Sequence, residues 1–250
     1  MKNNIARYKY AQKLALLHLL ISILIAGLSA LLVWKGWYTQ PFSSILQVDN
    51  LYKVIIAVDI ICGPLLTLVL ANPKKSRLET TVDLSLIAAI QLAALLYGLH
   101  ALYISRPVAV VFEQDRFVIV TANEIAENDT TVLPKMGVDF FNTRDPKNGT
   151  EKAYILDLYF RGISTTTIPS WWRPYASALP KIKTRAKPVS LLLTARPQNK
   201  SAILQLSETY KKPLSDLYFL PFVHPKDMTW IAILDNSYSI IGYLHVDGFI

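Results

Sequence analysis

The chain is nearly without cysteine. Cys62 is the single thiol among 250 residues, so no intramolecular disulfide can form and zinc or iron–sulfur sites built on cysteine are excluded. The motifs that cradle phosphate are missing: there is no Gly-x-Gly-x-x-Gly and no Walker loop, which leaves nucleotide binding without support. There is no His-Glu-x-x-His zinc helix and no serine in a nucleophile elbow. The four histidines, His18, His100, His224 and His245, are scattered. His224 and His245 with Asp227 or Asp247 make an imaginable metal set, but their spacing is not that of a ligand motif. No catalytic, cofactor-binding or metal-binding residue is assigned.

Acidic residues are scarce in the first part of the chain. Met1 to Ser105 carries nine basic and four acidic residues, and Arg106 to Ile250 carries seventeen and fourteen. The net charge of +8 is therefore concentrated beside apolar runs. There it reads as membrane topology information and not as a nucleic-acid patch.

What the sequence has in excess is apolar length: 52% of residues are hydrophobic and the mean hydropathy is +0.30. Three runs, Leu14–Trp34, Val54–Ala71 and Val82–Ile104, approach or exceed the ~20 residues that cross a ~30 Å hydrocarbon core. They predict three transmembrane helices in a membrane domain of residues 1–106. A cleaved signal peptide competes for the first run, but the run is long and no small-x-small site closes it. Trp34, Trp37 and Tyr38 suit an interfacial belt. His18, Ser22 and Ser29 share one helix face, which should point at the other helices. The N-terminal tail has four Lys/Arg, the second loop three and the first loop two. The positive-inside rule then puts the N-terminus in the cytoplasm and residues 107–250 outside.

The second run is the centre of this half. Asp59-Ile60-Ile61-Cys62-Gly63-Pro64-Leu65-Leu66-Thr67 places an acid, a glycine and a proline inside it. A carboxylate there is costly and normally faces protein. Gly63-Pro64 opens the hydrogen-bond ladder, which neighbouring helices must cover. In the third run Gln91 and Gly98 share a face, and Gly98 permits close helix approach. Counted along the runs, Asp59 lies five residues in from the outer interface and His100 about five from the outer end. That depth makes an Asp59–His100 pair geometrically possible; His18 and Asp83 form a second possible pair near the inner end. The alternative for each group is snorkelling or a backbone hydrogen bond. Asp59 and Asp83 lie near opposite faces, which disfavours an aspartyl-protease dyad.

After Arg106-Pro107 the pattern changes. Val108–Phe112 and Phe117–Ala122 are β-branched-rich runs split by Glu113-Gln114-Asp115-Arg116, a hairpin signal. Pro134, Gly137, Pro146 and Gly149 mark loops. Helical periods follow at Glu151–Ile163 and Asn199–Lys211. Trp230–Leu234 and Ser239–Val246 read as a second hairpin around Asp235-Asn236-Ser237. The expectation is an α+β domain, residues 107–250, with β-hairpins at both ends. Between them lies Ile168-Pro169-Ser170-Trp171-Trp172-Arg173-Pro174-Tyr175. Trp171 and Trp172 are either a partner-binding surface or a loop packed on the core.

These residues also carry a resemblance. Trp37-Tyr38, Asp59 with Cys62-Gly63-Pro64-Leu65-Leu66-Thr67, Asp83-Leu84 with Gln91, Ala94-Leu95, Tyr97-Gly98, Arg106-Pro107 and Arg116-Phe117 stand in order and register. Together they resemble the type IV pilin accessory proteins (the TfpX/TfpZ and FimB-like family) from about Trp37 to Ala122. Pro213-Leu214 to Leu220-Pro221 and the final hairpin look similar more weakly. The resemblance implies a multi-pass protein of the bacterial inner membrane that supports the stability or assembly of a particular type IV pilin. It implies that the pilin subunit, the lipid bilayer and other pilus assembly proteins are its partners, and that it has no catalytic residues and no cofactor. Asp59, Gly63, Pro64, Gln91, Gly98, His100, Trp171 and Trp172 are the candidate helix-packing or partner contacts. The competing reading is a small membrane transporter or enzyme using Asp59 and His100. Three helices make a poor permeation path without oligomerisation.

Overall fold

A computed structural model describes residues 2–126 and 133–250, with side chains described from residue 5 onward. The chain divides into two compact units, Met1–Ser105 and Arg106–Ile250.

The first unit holds three helices long and apolar enough to cross a membrane, Ile5–Trp37, Val48–Leu70 and Arg77–Ile104. Helix α1 (Lys2–Leu31) runs into a π-helical turn, Leu32–Trp37. A one-turn helix, α2 (Phe42–Ile45), leads to the second crossing. That crossing is built from α3 (Val48–Ala57), a π turn (Val58–Cys62) and α4 (Gly63–Leu70). The third crossing is α5 (Arg77–Ile104), opened by a capping box in which Ser76 and Glu79 exchange hydrogen bonds. Along the bundle α1 packs on α4, and α5 packs on both α3 and α4.

The surface is inverted relative to a soluble bundle. Leu16, Leu20, Leu24, Leu65, Val69 and Ile90 are exposed, whereas Ser22, Ser29, Asp59, Thr67 and Gln91 are buried. In water, exposed apolar side chains on this scale would be an aggregation surface; against lipid they cost nothing. The unit is a membrane bundle whose polar side chains face inward.

Among the described residues the second unit is a mixed eight-stranded sheet flanked by helices. Its strands run β4-β3-β1-β2-β6-β7-β8, with β5 beside β6. The strands are β1 (Pro107–Glu113), β2 (Arg116–Thr121), β3 (Asp139–Thr143), β4 (Trp172–Pro174), β5 (Lys187–Pro188), β6 (Tyr218–Val223), β7 (Ile231–Leu234) and β8 (Ile240–Leu244). The helices are α6 (Gly149–Phe160), α7 (Leu179–Arg185), α8 (Ser190–Ala195) and α9 (Lys200–Tyr210). Both expected hairpins form. β1 and β2 pair antiparallel with Phe112 opposite Phe117, around Gln114 at φ 58°. β7 and β8 pair antiparallel beyond a turn held by the Asp235 carboxylate, which accepts from the Ser237 amide and hydroxyl. The hairpins join through the parallel pair β2–β6.

β6 was not legible because Tyr-Phe-Leu-Pro-Phe-Val carries a proline in mid-run, normally a mark against an interior strand. The register explains its tolerance. The Phe222 amide donates to Trp230 O on the β7 side, so the missing Pro221 N–H would point the other way. On that side β5 pairs with Tyr218 and Phe219, and β2 begins only at Phe222. Pro221 sits in the gap between two short neighbours, where no donor is needed. Two apolar clusters cover the sheet. Leu192, Ile203 and Leu206 from α8 and α9 pack on Phe219, Ile231 and Ile233, and Trp172 and Phe141 pack on Val108, Ala109 and Val111 of β1.

Candidate functional site

The inward polar groups of the bundle pair across its helices. On α1, the His18–Ser22–Ser29 face turns toward the second crossing. His18 Nδ1 lies 2.6 Å from Thr67 Oγ1. Ser29 Oγ lies 2.7 Å from the Tyr52 hydroxyl, and both hydroxyls donate to Ala26 O.

Asp59, Gly63, Pro64 and Gln91 act as a unit. In a π register the carbonyl of residue 59 would accept from the amide five residues on. That residue is Pro64, which has no N–H. The Gln91 side chain from α5 supplies the missing donor: its Nε2 reaches Asp59 O at 2.9 Å. Gly63 makes room, because a Cβ there would fall on the Gln91 amide. Gly98 serves α5 in the same way two turns along from Gln91, where a Cβ would lie 2.8 Å from Ile55 Cγ1. The inward stripe of α5 is Ile87, Gln91, Leu95, Gly98 and Leu102, steps of four, four, three and four that keep one helix face.

Beside this unit lies a small pocket of about 100 Å³ whose lining includes His18, Ser22, Ile25, Asp59, Gln91 and Leu92. Asp59 is 7% and Gln91 9% exposed. Asp59 Oδ1 and Gln91 Oε1 are buried with no hydrogen-bond partner among the described residues. The Gln91 side chain also meets the Asp59 carboxyl itself.

Neither of the two possible acid–histidine pairs forms. His100 is exposed, while Asp59 is buried level with Gln91. Nine residues separate Gln91 from His100, about 13 Å along the helix axis. The depth count failed because the second crossing begins at Val48, six residues before the uninterrupted apolar run. Asp59 is therefore at mid-span and not near an interface. Asp83 pairs with Lys75 at 2.5 Å, not with His18.

Trp171 and Trp172 take the packing role. Trp172 stacks on Phe141 at 4.7 Å and donates its indole N–H to Thr166 O at 2.9 Å. The Arg144 guanidinium lies 3.8 Å over the Trp171 ring. Both rings are buried and hold the 165–174 segment on the sheet.

The imagined His224–His245 metal set does not assemble. His224 Nε2 lies 3.0 Å from Glu124 Oε1, His245 Nε2 lies 2.8 Å from Thr229 Oγ1, and Asp247 is bonded to Arg196 at 2.6 Å. Among the described residues no three His, Cys, Asp or Glu side chains are placed to hold a metal. Sequence reasoning missed the Glu124–His224 pair, whose members are 100 residues apart and carry no local signal. Burial pushes the Glu124 carboxyl up, but hydrogen bonds from His224 and from the Thr121 amide and hydroxyl outweigh it. The carboxyl is held below its usual range.

Comparison with known proteins places this architecture. The chain is 35% identical over 256 residues to the fimbrial assembly protein of serogroup I from Dichelobacter nodosus, covering 98% of this chain and 99% of that one. The chain belongs to the fimbrial assembly protein family. A second relative, the serogroup E1 fimbrial assembly protein of the same organism, is 34% identical over 257 residues, again 98% and 99% of the two chains. The protein of serogroups C1 and C2 is 42% identical over 122 residues, 49% of this chain and 93% of its own. Residues 6–47 match the family described as fimbrial assembly protein FimB. This segment takes in most of the first crossing and the turn beyond it. No solved structure matches the chain. The three apolar helices and the mixed-sheet domain are thus those of a membrane protein of pilus assembly.

Proposed function

We propose that this chain is a multi-pass accessory protein of the bacterial inner membrane that acts in a chaperone-like way on one type IV pilin, supporting its stability or assembly. The N-terminus is cytoplasmic and residues 106–250 form a periplasmic domain. The observation that carries this reading is the end-to-end likeness to fimbrial assembly proteins, 98% of the chain at 35% identity. Two features support it. The bundle meets lipid with apolar side chains and keeps its polar ones inside, as a protein resident in a bilayer must. Its basic residues favour the N-terminal tail and the second loop over the first, the asymmetry of a cytoplasmic N-terminus.

The role is read as non-enzymatic. The competing transporter or enzyme reading drew on Asp59 and His100 as one site, and the two do not meet. The test is deletion of the gene in its native host, with pilin level and surface pili measured before and after complementation. Reporter fusions at Ser76 and Ile250 read the topology in the same strain. Loss of pili with restoration by the wild-type gene is expected. Normal piliation in the deletion strain overturns the reading, and a cytoplasmic reporter signal at Ile250 overturns the orientation.

A further inference from the structure

We propose that the end of the bundle where α1 meets the turn between α4 and α5 holds the phosphate of an anionic phospholipid. The inference goes beyond the pilus reading and depends neither on it nor on which face of the membrane this end meets. A cleft of about 400 Å³ opens there, lined by Tyr10, Pro73, Lys75, Arg77, Thr80 and Thr81. That volume falls within the ~300–1,000 Å³ of ligand pockets. Its depth follows from the chain: Tyr10 stands four residues before the first apolar run, Pro73 two after the second and Thr81 one before the third. All three crossings leave the hydrocarbon at this level, which is that of the headgroups.

The charge has the right sign. Residues 5–13 and 72–83 carry three basic residues each, against the two acids Glu79 and Asp83. Both acids are engaged. Glu79 accepts from the Ser76 amide and hydroxyl, and Asp83 from Lys75, whose ammonium keeps further N–H groups to donate. The Arg77 guanidinium and the Tyr10 and Thr81 hydroxyls have no hydrogen-bond or ion-pair partner among the described residues. A guanidinium fork matches phosphate geometry, and hydrogen bonds to a charged oxygen are the strong ones. Basic pockets between membrane helices are where anionic headgroups dock. The surroundings favour a lipid over a free ion. Leu78, Val82, Leu86 and Ile90 are exposed and recur every four residues down α5, a stripe on one helix face. Arg77 and Thr81 stand one residue before Leu78 and Val82. An acyl chain along that stripe keeps its phosphate beside the cleft, a gain that free phosphate lacks.

The test is lipid retention by the purified full-length protein, read by native mass spectrometry with phosphatidylglycerol, phosphatidylcholine or inorganic phosphate added. One phosphatidylglycerol per chain is expected, held about tenfold more tightly than phosphatidylcholine, whose choline cation opposes the basic residues. Arg77→Gln and Tyr10→Phe should each lower retention about tenfold, as the loss of one hydrogen bond to a charged group does. Both side chains are exposed, so the bundle tolerates the changes. Lys74→Gln removes the same charge from the same turn, but Lys74 does not line the cleft; retention should change by less than about twofold, below the step of one hydrogen bond. Equal losses in Arg77→Gln and Lys74→Gln, with none in Tyr10→Phe, would mean that diffuse surface charge attracts the lipid and would overturn the site. Equal retention of phosphatidylglycerol and phosphatidylcholine would overturn it as well. Inorganic phosphate that displaces the lipid at equal concentration would overturn the lipid as the source of the phosphate.

Discussion

Replacing Gln91 by leucine removes the side-chain donor that reaches the carbonyl of Asp59. The side chain is of similar size, so packing against Gly63 changes little. The consequence is an orphaned backbone acceptor in a buried membrane setting, which costs about 1–3 kcal/mol by analogy with soluble interiors. Interhelical hydrogen bonds measured within membranes are weaker, averaging about 0.6 kcal/mol with a maximum near 1.7. The second scale wins here, because an unfolded chain in the bilayer also finds partners. The expected loss is about 1 kcal/mol. The decisive measurement is its coupling to Pro64→Ala. An alanine at 64 restores an N–H that can serve Asp59 O through the π register. With that amide present, Gln91 is no longer needed and its loss should cost less. Reversible unfolding of the full chain in mixed detergent, on wild type, Gln91→Leu, Pro64→Ala and the double variant, gives the cycle. A coupling of about 0.5–1 kcal/mol is expected, within the range for groups sharing a network. Additivity within about 0.3 kcal/mol would refute the reasoning that Gln91 replaces the donor missing at Pro64.

Three further outcomes follow from the geometry. Asp59→Asn and His100→Gln should combine additively, within about 0.5 kcal/mol in the same assay, because they lie beyond contact range along the bundle; a larger coupling would restore the pair. Trp172→Ala should cost about 3–5 kcal/mol as a buried ring is deleted, whereas Trp172→Phe should cost about 1 kcal/mol for the indole bond to Thr166, both read by thermal melting of the full chain. The Asp235 carboxyl is held down at about 2 by the Ser237 hydroxyl, with Lys212 and the Ser237 and Ser239 amides adding to it. Its folded value lies below the unfolded ~3.9, so its contribution is fully present above pH 4 and is lost as pH falls toward 2; the hydrogen-exchange protection factors of the Ile231–Leu234 and Ile240–Leu244 amides, taken relative to the intrinsic rate at each pH, should fall across that window, and Asp235→Asn should flatten the response.

Much of the architecture was written in local pattern. Apolar length announced three crossings, because a bilayer sets a length that composition must meet. Alternation and turn residues announced the β1–β2 and β7–β8 hairpins, whose partners are neighbours in sequence. Gly98 and Gln91 were legible as an inward face from their spacing. The tertiary structure alone decided the rest. β6 depended on which edge Pro221 turns toward, a matter of register with β5, β2 and β7. The depth of Asp59 depended on a helix start at Val48, where Asp49 and Lys53 interrupt the apolar run but not the helix. Once that start moved, His100 lost its partner and Gln91 gained a role as substitute donor. A chain's own order records what each residue is and who its neighbours are. Which carbonyl is left open by a proline, and which side chain from 32 residues away closes it, is settled only when the helices pack.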